Sequence, residues 1–181
     1  MFPLNLPNVL TVIRILLVPV LVVALLVNTA HGPVVAAIVF AVAAFTDGLD
    51  GYIARSRQSI TTFGKVMDPV ADKLLIAAAL ISLVSLGRVA AWIAMVIIAR
   101  EFAVSGLRIA AGQQGVVIPA SLLGKIKTIV QVAAVLALIA VDNTNEAWVQ
   151  VLVYTAVVVT VVSGVDYFLN VRRHIEEART T

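Results

Sequence analysis

The chain has 181 residues, of which 61% are hydrophobic and 13% charged. That excludes a disordered chain, which needs low hydrophobicity and high charge, and an ordinary soluble domain, in which roughly 25% of residues are charged. No cysteine is present, so disulfides and thiolate chemistry are excluded, and the net charge of +3 fits a polytopic membrane protein with basic cytoplasmic loops better than a nucleic-acid binder.

A globule of this size cannot hide so much apolar surface from water, so lipid is the solvent for most of it. Six apolar runs occur, and several reach spanning length only by including the polar residues beside them. They predict transmembrane helices over Asn8–Asn28, Pro33–Arg55, Gly64–Leu86, Val89–Ala111, Ser121–Val141 and Ala147–Asn170. The first run lacks a basic leader and exceeds a signal-peptide core in length, so it reads as a retained helix. Pro19 is a candidate kink in the first helix, whereas Pro33, Pro69 and Pro119 suit helix starts or first turns. The Val-rich stretches lack period-two alternation, which argues against a β-barrel. With no long hydrophilic segment left over, residues 1–181 read as one all-α domain.

The polar residues alternate between helix ends. Helix 1 is polar at its start (Asn8, Thr11, Arg14), helix 2 at its end (Asp47, Asp50, Arg55) and helix 3 at its start (Lys65, Asp68, Asp72, Lys73). Helix 4 is polar at its end (Arg100, Glu101, Arg108), helix 5 at its start (Lys125, Lys127) and helix 6 at its end (Asp166). Alternating helix directions bring all these ends to one membrane face, around a single polar cavity. Of the 13 Lys and Arg, Arg88 alone falls at the opposite face. The positive-inside rule then places both termini and the cavity on the cytosolic side of the cell (inner) membrane.

Asp47 and Asp50 lie three apart, and Asp68 and Asp72 four apart. On helices each pair shares a face, about 60° and 40° apart. The short loop between helices 2 and 3 makes them antiparallel neighbours, so the pairs can face each other. An intramembrane Asp costs about 2.5–3.5 kcal/mol at mid-bilayer, so the cluster asks for compensation. Carboxylate oxygens favour hard ions, Mg²⁺ or Mn²⁺. Two ions, about 3.5–4 Å apart, would balance the charge and clamp a transferring phosphoryl group. Gly51, Ala54 and Gly64 each lie one turn from an aspartate and leave room for a substrate.

From Asp47 to Asp72 the residues read D-x2-D-G-x2-A-R-x8-G-x3-D-x3-D. This segment resembles the signature of the CDP-alcohol phosphotransferase family at every fixed position. The resemblance implies transfer of a phosphatidyl or similar group from a CDP-linked donor to an alcohol, with release of CMP. It implies that Asp47, Asp50, Asp68 and Asp72 are metal ligands, with Asp72 also the general base. It implies further that Asp47, Gly51, Ala54, Arg55 and Gly64 bind the CDP donor. A homodimer is expected on the same ground.

The second basic group, Arg100, Arg108, Lys125 and Lys127, suits an acceptor carrying its own phosphate. Lys125 and Lys127 face different directions, so one can point inward while the other reaches the interface. The words Ala99-Arg-Glu-Phe102, Ser105-Gly-Leu-Arg108, Gly124-Lys-Ile-Lys-Thr128 and Asn5-Leu-Pro-Asn-Val-Leu-Thr11 resemble the phosphatidylglycerophosphate synthase branch of that family. Its substrates are CDP-diacylglycerol and sn-glycerol 3-phosphate. The resemblance implies that Arg108, Lys125 and Lys127 hold the acceptor phosphate, supported by Arg100. Glu101 orients an arginine or is structural, and Arg14 touches either the donor phosphate or the lipid interface. Branches acting on inositol phosphate or phosphatidylglycerol are the alternatives within the family. A divalent-cation or proton-coupled transporter is the alternative outside it, because it too uses intramembrane carboxylates.

Overall fold

The structure, a computed structural model, describes residues 6–27, 29–57, 62–113 and 121–180, with side chains described outside 6–7, 47–66, 68 and 174–180. Among the described residues there are six helices and no strand: α1 (Leu6–Leu26), α2 (Gly32–Arg57), α3 (Thr62–Ser85), α4 (Ala91–Gln113), α5 (Leu122–Ala140) and α6 (Ala147–Thr180). Five of these match the expected helices closely. The sixth runs ten residues past the expected Asn170, because Val171–Thr180 contains no Gly or Pro and is rich in helix-forming Arg, Glu and Ala.

Among the described residues, three stretches are long and apolar enough to cross a membrane unaided: Asn8–Leu26, Leu122–Ala140 and Ala147–Arg173. In α2 and α3 the charged residues sit toward one end, so the apolar stretch alone is shorter (in α2 it is Gly32–Thr46), whereas in α4 Arg100 and Glu101 fall at mid-helix rather than at the expected end. The outer surface is one that only lipid tolerates, with Leu16, Phe45, Met95, Leu122 and Ile129 all exposed. This is a membrane protein.

The chain forms two compact units, Met1–Ala90 with Val135–Thr144, and Ala91–Ala134 with Asn145–Thr181. In the first unit α1 packs against both α2 and α3. Leu21, Phe40, Ala43, Ala79 and Leu83 are fully buried there. The turn between α1 and α2 is tight at Gly32, where a Cβ would lie 2.7 Å from the Ala24 carbonyl oxygen. Helix α1 continues through Pro19. Pro33 is the second residue of α2, as its fixed φ favours. Pro69 departs from expectation, because it lies well inside α3 rather than in its first turn. Having no N–H, it cannot donate to the Lys65 carbonyl. Pro119 lies outside the described residues.

Helix α3 ends in a Schellman motif. Gly87 N–H donates to Val84 O at 3.0 Å and Arg88 N–H to Leu83 O at 2.9 Å, with Gly87 at φ +70°. Gly87→Ala is expected to cost about 1–2 kcal/mol of stability, the penalty of a left-handed conformation for an L side chain; a thermal melt in detergent checks it. The Arg88 side chain reaches the far end of α5. Its Nη1 donates to the carbonyls of Leu138 and Ile139 at 3.0 Å and of Val141 at 3.3 Å. A cation at a helix C-terminus satisfies orphan carbonyls and complements the dipole. This contact gives Arg88, the basic residue expected at the opposite face, a structural use.

In the second unit α4 packs along α6. Val104, Leu107, Ala111, Tyr167 and Val171 form its apolar seam. Arg100 meets Ser163, and Arg108 meets Tyr167 further along, so the two helices run parallel. Trp92 and Tyr154, with ring centroids 6.3 Å apart, lie toward the opposite end from Arg108, as residues of an interfacial aromatic belt do.

Candidate active site

The first unit carries the aspartates. Asp47 and Asp50 are within helical α2, and Asp68 and Asp72 within helical α3, so the spacings of three and four act on real helices that pack together. The side chains of Asp47, Asp50, Ala54, Arg55 and Asp68 lie outside the described residues, as do the surroundings of Gly51 and Gly64. Asp72 is half-buried and engaged with other groups. Its neighbour Lys73 folds back along α3, where Nζ donates to the Pro69 carbonyl at 2.9 Å. Among the described residues no trio of His, Cys, Asp or Glu is arranged around a metal position. The donor set itself, four carboxylates in two helical pairs, has the all-oxygen chemistry of a hard divalent ion.

The start of α1 lies beside the end of α2. Asn8, Thr11 and Arg14 are buried, Arg14 being only 1% exposed. Arg14 Nε donates to Ala43 O at 3.3 Å. The same carbonyl accepts from Thr46 Oγ1 at 2.9 Å, one residue before Asp47. A buried guanidinium is thus fixed one turn from the first aspartate of the cluster.

The second unit carries the basic cluster, and its four cations divide into two kinds. Lys127 is buried, and its ammonium donates to Glu101 Oε1. The same carboxylate oxygen lies 3.7 Å from Arg100 Nη1. Arg100 is also held from α6: Nη2 donates to Ser163 Oγ at 3.1 Å. Its stem lies along Gly164, where a Cβ would come within 3.2 Å of Arg100 Cγ. Glu101 therefore orients both a lysine and an arginine. Arg108 and Lys125, by contrast, are exposed. The Arg108 guanidinium lies over the Tyr167 ring, 5.6 Å from its centroid, within the range of a cation–π contact. Lys125 and Lys127, two residues apart on α5, differ in burial: Lys127 is buried against Glu101 and Lys125 is exposed.

Sequence reasoning missed Ser163, Gly164 and Tyr167. The available signal was a run of small and polar residues, Thr160 to Tyr167, in an otherwise Val-rich helix, of which only Asp166 stood out by charge.

Comparison with known proteins extends the geometry. The family model of CDP-alcohol phosphatidyltransferase matches residues 4–162. The chain belongs to the CDP-alcohol phosphatidyltransferase family. Divalent-metal dependence is general among its members. The chain is 42% identical to the CDP-diacylglycerol–glycerol-3-phosphate 3-phosphatidyltransferase of Bacillus subtilis (strain 168), covering 91% of this chain and 93% of that one. It is 41% identical to a probable phosphatidylglycerophosphate synthase of Mycobacterium tuberculosis (strain CDC 1551 / Oshkosh), covering 98% and 86%. It is 37% identical to the CDP-diacylglycerol–glycerol-3-phosphate 3-phosphatidyltransferase of Rickettsia felis, covering 91% and 93%.

Proposed function

We propose that this member of the family transfers the phosphatidyl group of CDP-diacylglycerol to sn-glycerol 3-phosphate, giving phosphatidylglycerophosphate and CMP. The observation that carries this is the likeness, over nearly the whole of both chains, to relatives bearing the name of that activity. Four cations on α4 and α5, Arg108 and Lys125 exposed and Arg100 and Lys127 held by Glu101, support a phosphorylated acceptor.

The assigned roles follow from the chemistry. Asp47, Gly51, Ala54, Arg55 and Gly64 hold the CDP moiety of the donor. Asp47, Asp50, Asp68 and Asp72 would hold two ions, Mg²⁺ or Mn²⁺, which would supply charge neutralisation at the pyrophosphate. Arg108, Lys125 and Lys127 take the acceptor phosphate with Arg100 in support, and Glu101 orients Arg100 and Lys127. Asp72 accepts the proton of the acceptor's primary hydroxyl as its oxygen attacks the phosphorus bearing diacylglycerol. The bond from that phosphorus to the bridging oxygen breaks, and CMP leaves with the electron pair. No residue type for a covalent intermediate is needed. The 181 residues act as one catalytic domain with six transmembrane helices. Its polar helix ends and both termini face the cytosol at the inner membrane, and the working form is a homodimer.

The test is CMP release by purified protein in detergent with CDP-diacylglycerol and Mg²⁺ or Mn²⁺. Glycerol 3-phosphate is compared with inositol phosphate, serine and phosphatidylglycerol. Release with glycerol 3-phosphate alone is expected. Release only with another acceptor overturns the assigned substrate while keeping the carboxylate chemistry. No release with any acceptor, from folded protein, overturns the activity.

A further inference from the structure

Tyr167 combines two properties that packing alone does not explain. Its side chain is 4% exposed within the α4–α6 seam, yet its hydroxyl has no hydrogen-bond partner among the described residues. A buried hydroxyl without a partner is costly, and phenylalanine would fill the same space without that cost. The ring carrying this hydroxyl also lies under the guanidinium of Arg108. Arg108 is exposed, and a contact with the ring face uses none of its N–H groups as hydrogen-bond donors to an oxygen, so they can meet an anion. Arg100, the other α4 arginine, is tied to Ser163 and Glu101, so the two arginines are held by different means.

We infer that Tyr167 is part of the acceptor-phosphate site, its ring seating Arg108 and its hydroxyl donating a hydrogen bond to the bound anion. This rests on the assignment of Arg108 to the acceptor phosphate. A neutral donor next to a guanidinium adds a directed bond without adding charge, and the bond is made only when the anion is present. The hydroxyl therefore contributes to acceptor affinity and nothing to the stability of the ligand-free protein.

That division is what the experiment reads. KM for glycerol 3-phosphate, KM for CDP-diacylglycerol, kcat and the melting temperature without acceptor are measured for wild type, Tyr167→Phe, Tyr167→Leu and Arg108→Ala. For Tyr167→Phe the acceptor KM is expected to rise by roughly 10- to 100-fold, the range for a hydrogen bond to a charged group. Its donor KM and its melting temperature in the absence of acceptor stay at or above the wild-type values. Tyr167→Leu is expected to raise the acceptor KM by about a further two- to fivefold as the cation–π seat is lost. An unchanged acceptor KM in Tyr167→Phe overturns the inference, because a water or nothing then meets the hydroxyl. A lowered melting temperature with an unchanged KM overturns it in favour of a structural hydroxyl. Arg108→Ala separates this from the underlying assignment. If its acceptor KM is unchanged, Arg108 is not an acceptor residue, whatever the Tyr167 variants do.

Discussion

Replacing Asp72 by asparagine is expected to lower kcat by about 10²- to 10⁴-fold, the range a positioned general base contributes. Asparagine keeps the size and one oxygen of the side chain but cannot take the hydroxyl proton. The variant should still bind CDP-diacylglycerol, because the donor contacts are assigned to Asp47, Gly51, Ala54, Arg55 and Gly64. Turnover and donor binding are measured at several metal concentrations up to saturation, since Asp72 is also assigned as a ligand. A loss that persists at saturating metal supports the base. Near-normal turnover there would remove Asp72 from that role, and a loss fully rescued by metal would leave it as a ligand only.

The second large effect is on stability. Lys127 is 5% exposed, and its ammonium is held by Glu101, whose own side chain is 13% exposed. Removing one member of a buried pair leaves an uncompensated charge, which costs about 3–5 kcal/mol. Glu101→Leu is therefore expected to be strongly destabilised in a denaturation experiment in detergent. It should also raise the acceptor KM, because Arg100 loses one of its anchors. The double variant Glu101→Leu with Lys127→Met is expected to recover part of the loss. Recovery is partial because Lys127 has further interactions and Glu101 also serves Arg100. A single Glu101→Leu variant with wild-type stability would show that the pair is not buried in the working protein.

The helices were legible because each apolar run is bounded by charges, glycine or proline. The main error, at the end of α6, came from ending the helix where hydrophobicity ends. Helix formation there follows propensity, and Val171–Thr180 continues it with charged residues. Pro69 was misplaced for a related reason: its preference for first turns yielded to the continuity of a longer helix. The two-residue spacing of Lys125 and Lys127 required opposite directions, but which one turned inward depended on Glu101, on another helix. Likewise Ser163 and Tyr167 carry little signal in a Val-rich stretch until α4 brings Arg100 and Arg108 against them. The aspartate spacings were readable on the sequence, and α2 and α3 place those positions on packed helices.

Arg88 has a consequence for biosynthesis. Its guanidinium is satisfied by carbonyls that lie 50 or more residues later in the chain. At a synthesis rate of about 5–20 residues per second, that delay is roughly 3–10 s. During that interval the completed α3 end carries a cation whose acceptors do not yet exist. Helices α1, α2 and α3, which pack on one another, are all synthesised before that end of α5, so the Arg88 contact is the last of the first unit to form. Arg88→Leu, which removes the charge that waits, is expected to leave α1, α2 and α3 packed on one another.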